Sequence, residues 1–106
     1  MKYVFAYITT ANEEEAERIG RQLVEKKLAA CVNIIPGMRS FYWWQGQVDS
    51  GQETVLIAKT REDLVAPATA LVKALHSYSC PCVVTWELKG GNEEYFEWLG
   101  KSLEKN

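Results

Sequence analysis

The sequence predicts an α+β fold, a small antiparallel sheet with helices packed on one of its faces. Three observations carry this. Segments rich in β-branched and aromatic residues alternate with amphipathic helical stretches; a short turn joins the two middle strands; and a further helical stretch closes the chain.

Lys2–Thr10 is apolar on both alternating sets, as in a strand buried on both faces. Asn12 then precedes three glutamates, with Glu15 placed to complete a capping box. Ala16, Ile19, Gly20, Leu23 and Val24 share one helical face, giving an expected amphipathic helix of about 15 residues. Residues 29–35 read as a second strand, bent at Pro36-Gly37 and resumed through Arg39–Trp44. Gln45-Gly46-Gln47 is the hairpin turn, and the third strand returns through Val48–Thr60 with a bulge expected at Asp49-Ser50-Gly51.

Thr60 with Asp63 is expected to begin a second helix carrying Leu64, Ala68, Leu71, Val72 and Leu75, kinked or started late at Pro67. His76–Pro81 is a loop, Val83–Leu88 a fourth strand, and Asn92-Glu93-Glu94 the start of a terminal helix with Tyr95, Phe96, Trp98, Leu99 and Leu103. The order βαββαβ plus a helix is the split βαβ, ferredoxin-like sandwich. Its central hairpin is extended, since typical strands run about 5–6 residues. The sheet face without helices carries aromatic and aliphatic side chains, which points to oligomerisation.

Composition narrows the function. A chain of 106 residues, expected as a single domain over 1–106, has 47% hydrophobic and 25% charged residues, which excludes disorder. Its net charge of -2 argues against a phosphate-binding surface, so no nucleic-acid partner is expected. One histidine excludes HExxH hydrolase sites and two-histidine zinc fingers within one chain. No apolar stretch approaches the ~18–20 residues of a membrane span, and no signal-peptide pattern follows the N-terminus. Three cysteines are an odd number, and an i,i+2 disulfide is strained, so free thiols in a cytoplasmic protein are the simpler reading. No GxSxG elbow, P-loop or Rossmann fingerprint occurs, and no catalytic residue is assigned.

Several strings stand in register along the chain. They are Ala29-Ala30-Cys31-Val32-Asn33-Ile34 with Pro36-Gly37; Ser40, Tyr42, Trp44 and Gly46; Glu53; Lys59-Thr60; His76, Tyr78 and Pro81; and Gly91-Asn92 with Tyr95 and Trp98. In this order and spacing the chain resembles the CutA family of divalent-cation tolerance proteins over essentially its whole length. The resemblance implies a homotrimer related in architecture to the PII signalling proteins, with hairpin arms completing neighbouring sheets. It also implies a biology of copper and divalent-metal tolerance, with Cys31 and His76 matching the family's proposed metal residues. One departure is local: where the family reads His-Pro-Tyr, two variable residues and Pro-Glu, this chain has Ser77 for the first Pro and Cys82 for the Glu. No role of that carboxylate carries over.

Two sets of candidate residues follow. Cys80 and Cys82 flank Pro81 on one side of an extended segment, and thiolates are soft donors suited to Cu(I) and Zn. His76 adds an imidazole and Cys31 a further thiol, so the metal set is Cys31, His76, Cys80 and Cys82, with copper or another divalent metal as a non-obligatory cofactor. Against this stands the reading of all three cysteines as packing residues. The second set is a ligand cleft of Tyr42, Trp44, Glu53, Lys59, Tyr78, Tyr95 and Trp98. Tyr42 and Trp44 alternate with Phe41 and Trp43, and such aromatics suit a subunit interface more often than a pocket. Glu53 and Lys59, six apart, share a strand face unless a bulge intervenes, and serve equally as an interface ion pair. A small ligand or an unidentified partner protein is the alternative to metal.

Overall fold

The computed structural model describes residues 2–105; Met1 and Asn106, the limits of the expected domain, lie outside them. The chain runs β1 (Tyr3–Thr10), α1 (Glu13–Glu25), β2 (Cys31–Trp44), β3 (Gln47–Arg61), a 3-10 turn at Glu62–Leu64, α2 (Val65–Leu75), β4 (Val83–Glu87) and α3 (Glu93–Ser102). The four strands form one sheet in the order β2-β3-β1-β4, every neighbouring pair antiparallel. This is the expected α+β, ferredoxin-like sandwich with a terminal helix.

Strand alternation divides the side chains between two faces. Ala6 and Ile8 of β1 and Leu56 and Ala58 of β3 are buried against Ala16, Ile19 and Leu23 of α1 and Ala68 and Val72 of α2, and Val4 of β1 is buried on the same face. Gly20 permits this close approach, since a Cβ there would stand 3.0 Å from both Leu56 and Val32 side-chain atoms. Val24, expected on the same stripe, is instead exposed: it falls at the margin of the buried arc and lies outside the core cluster. The other sheet face carries Phe5 and Tyr7 of β1, Val84 and Trp86 of β4, Ile57 of β3 and Ile35 of β2, as the registers Phe5↔Trp86, Tyr7↔Val84, Tyr7↔Ile57 and Ile35↔Val55 require. Ile35, Val84 and Trp86 are about half exposed there. That face is not wholly bare, because α3 docks at one end of it. Leu99 and Leu103 are buried with Ala30, against which Tyr3 and Leu64 pack.

Both hairpin arms are long, 14 residues in β2 and 15 in β3. Trp44 pairs with Gln47, so the turn is the two residues Gln45-Gly46, both at positive φ (49° and 78°), the signs of a type I′ hairpin. The bulge lies on the opposite arm from the one expected. Asp49, Ser50 and Gly51 pair regularly with Tyr42, Phe41 and Ser40, while the register shifts between Ile35 and Met38. The cause is local: Pro36 has no N–H for the ladder, and Gly37 adopts φ 77°. One extra residue in β2 exchanges the faces of its alternating sets beyond that point. Ile35 faces the open side before it; Met38, Ser40, Tyr42 and Trp44 do so after it, as partners of Glu53, Gly51, Asp49 and Gln47.

The second helix also differs from expectation. Thr60 is a buried strand residue whose hydroxyl donates to the Leu28 carbonyl at 2.7 Å, and Asp63 is paired with Arg61 at 3.0 Å. The helix begins at Val65, after the 3-10 turn, which puts Pro67 in its first turn, where a missing N–H costs no intrahelical bond.

Candidate functional site

The open face carries two groups of polar and aromatic residues, near opposite ends of the sheet. The expected ligand cleft is divided between them. Glu53 and Lys59 do share a face, because β3 has no register shift between them, but six residues of strand separate them by about 20 Å.

At the hairpin end lies a cavity of about 820 Å³. Tyr7 and Thr9 come to it from β1, Met38 through Tyr42 and Trp44 from β2, Asp49 and Glu53 from β3, and Tyr78, Ser79, Cys80 and Cys82 from the α2–β4 loop. Tyr42, Trp44, Glu53 and Tyr78 of the expected ligand set and Cys80 and Cys82 of the expected metal set therefore meet here. The Tyr78 hydroxyl donates to the Glu53 carboxylate at 2.9 Å, and the Tyr7 hydroxyl donates to the Met38 sulfur at 3.3 Å. Desolvation, reinforced by the Glu53 carboxylate, pushes the Tyr78 phenol up to about 12.

Behind the loop stands a buried polar network that anchors it. His76 Nε2 lies 2.8 Å from the Thr9 carbonyl and Nδ1 accepts from the Tyr78 N–H at 3.0 Å, so the ring is the Nε2–H tautomer with both nitrogens engaged. The Asn12 side chain accepts from the Glu15 N–H at 2.9 Å, as in a capping box. The returning carboxylate accepts from Ala11 N–H, one residue before the cap, and from Ser77 N–H in the loop. Desolvation works to raise the Glu15 carboxyl, but the hydrogen bonds from Ala11 and Ser77 outweigh this and hold it below the usual carboxylate range.

The second group sits where α3 meets the sheet. Lys59 Nζ donates to the Tyr95 hydroxyl at 3.2 Å and lies over the Phe5 and Tyr95 rings; Cys31, its cross-strand partner, has its sulfur 3.6 Å from the same hydroxyl. Trp98 stacks beside Tyr95, ring centres 5.4 Å apart. The hydrogen bond to Tyr95 raises the Lys59 pKa against the opposing effect of burial, aided by Cys31. Thus Cys31 stands with Lys59, Tyr95 and Trp98, His76 lies under the loop, and Cys80 and Cys82 line the cavity. Among the described residues no three His, Cys, Asp or Glu side chains gather as a metal-binding group.

Sequence reasoning did not single out Tyr7, Met38, Arg39 or Asp49. The signal for Met38 was present in Pro36-Gly37, since a one-residue bulge there turns the even-numbered residues of β2 to the open face. The reach of Glu15 to Ser77 is a contact across 62 positions that no local pattern encodes.

Residues 4–102 match the family described as CutA1 divalent ion tolerance protein. A divalent-cation tolerance protein CutA of Archaeoglobus fulgidus is 45% identical over 100 residues, covering 94% of this chain and 97% of that protein. The chloroplastic CutA 1 of Oryza sativa is 45% identical over 103 residues; these are 97% of this chain but 58% of the rice protein, so the chain spans little more than half of that relative. Crystal structures agree: CutA1 from Oryza sativa superposes with a TM-score of 0.96 at 43% identity, covering 100% of this chain and 97% of the other. The structure of the Archaeoglobus fulgidus CutA, described as a periplasmic protein, gives 0.93 at 44% identity, covering 96% of this chain and 99% of the other. With the match running from β1 to the end of α3, the chain belongs to the CutA family of divalent ion tolerance proteins.

Proposed function

We propose that this chain acts as a cytoplasmic homotrimer that contributes to tolerance of divalent metal ions by binding copper or another divalent cation, without catalysing a reaction. Family membership over residues 4–102, and relatives known as divalent-cation tolerance proteins, support the metal-linked role. The observation that carries the assembly is the open sheet face, where Val84, Trp86 and Ile35 remain exposed beside two hairpin arms that project from the body. No helix among the described residues is long and apolar enough to cross a membrane. Titration of the reduced protein with Cu(I), Cu(II) and Zn(II), followed by calorimetry, tests the role: saturable binding of any of the three supports it, and binding of none overturns it.

A second reading has its own observation. The 820 Å³ cavity, walled by Tyr42, Trp44 and Tyr78 with Glu53 and Arg39 as polar groups, suits a small ligand whose binding reports to a partner, as in a PII-like signalling protein. A thermal-shift screen against nucleotides and other metabolites separates the readings: a ligand effect lost in Tyr42→Ala favours the sensor. A trimer that responds to neither metals nor metabolites is a structural assembly.

A further inference from the structure

The cavity at the hairpin end is lined by three sulfur side chains, Met38 from β2 and Cys80 and Cys82 from the α2–β4 loop. We propose that these three form a site for a soft monovalent cation, Cu(I), in each chain. The proposal deepens the metal-binding reading, on which it rests, by naming the oxidation state and the donors.

The cavity holds hard and soft donors together: Asp49 and Glu53 supply carboxylates, and the sulfurs are what favour a soft ion. Both nitrogens of His76 are hydrogen-bonded, and Glu53 accepts from Tyr78. Among the described residues no group of three His, Cys, Asp or Glu forms around the two thiols, and Met38 on the same cavity is the sulfur available as a third donor. An all-sulfur set of two thiolates and one thioether matches Cu(I) and has little to offer harder divalent ions. Cys80 and Cys82 are free thiols separated only by Pro81, whose ring fixes φ between them, and both line the cavity. Met38 owes its place to the Pro36-Gly37 bulge, and the Tyr7 hydroxyl donates to its sulfur at 3.3 Å, leaving a second lone pair for a metal. On binding, each thiol releases its proton to solvent and its sulfur donates an electron pair; nothing is oxidised or reduced. Two thiolates and Cu(I) carry one net negative charge, and Arg39 is among the residues around the same cavity. Cys31 takes no part, being at the other end of the sheet beside Tyr95.

The test is anaerobic titration of the reduced, assembled protein with Cu(I) against bicinchoninate as a chromophoric competitor. The parent chain is expected to withhold one Cu(I) per chain, Cys80→Ser/Cys82→Ser to lose it, and Met38→Leu to weaken it at unchanged stoichiometry. Cys31→Ser is expected to match the parent. Circular dichroism establishes that each variant is folded; Met38→Leu conserves volume, and Cys80 is exposed. Retention of the ion by the double cysteine variant, or its loss in Cys31→Ser, overturns the site. A parent chain that binds Cu(II) or Zn(II) but not Cu(I) overturns this site and leaves the broader reading standing, whereas one that binds none of the three overturns both.

Discussion

Two ionisable residues hold the α2–β4 loop against the sheet, and each gives a stability signature at its own end of the pH scale. Tyr78 has its phenol raised to about 12 by desolvation and by Glu53. A raised pKa favours the neutral folded form, so the contribution of Tyr78 is full below pH 10 and is lost as pH rises from 10 to 12. Absorbance titration is expected to show one of the five tyrosines ionising near pH 12, with that step missing in Tyr78→Phe. Glu15 has the opposite sign. Its carboxyl is lowered, so its contribution is full above 4.5 and is lost as pH falls through the folded value. Glu15→Gln is expected to flatten the acid limb of the stability profile. It should also cost about 1–3 kcal/mol at neutral pH in urea denaturation, because a neutral amide replaces a charged acceptor that serves two backbone donors. The cap half of this role is written in the Asn12–Glu15 spacing. The loop half depends on tertiary contact, which is why the sequence shows Glu15 as a helix cap and not as an anchor.

Element identities were legible because hydrophobic period and turn chemistry agree with the fold, and the misplacements have definite causes. The bulge expected at Asp49-Ser50-Gly51 falls at Pro36-Gly37 because the tight turn pins the register from Trp44↔Gln47 down through Ser40↔Gly51. Proline's missing N–H then breaks the ladder on the opposite arm. That single residue decides which side chains of β2 reach the cavity, so half of the candidate site was hidden until the register was known. The metal and ligand sets share residue types that suit such chemistry, but a sequence cannot show that Lys59 and Glu53 mark two ends of one strand. The turn itself is testable. Gly46 lies at φ 78°, where a Cβ costs about 1–2 kcal/mol, and Gly46→Ala is expected to destabilise by about 1 kcal/mol in urea denaturation without changing the fold. The space around Gly46 is open, so the loss would come from backbone conformation alone.

At the scale of the molecule, the two sheet faces explain why so short a chain carries so many exposed aromatics. One face has helices and a complete core of residues such as Ile8, Ile19, Leu23 and Leu56. The other presents Trp86, with Phe5 packed edge-on against it at 5.4 Å, and continues into a hairpin whose Tyr42 and Trp44 are 42% and 55% exposed. Exposed aromatics of this kind are the anchors of subunit interfaces. Placing a charge in such a surface opposes association while leaving the helix-side core intact. Trp86→Glu is therefore expected to dissociate the assembly into folded monomers, read as a fall in mass with retained circular dichroism. The most direct measurement is the mass of the parent chain in solution by light scattering or sedimentation equilibrium. The account predicts three times the 12.0 kDa of one chain, and a stable 12.0 kDa species at all concentrations would contradict it.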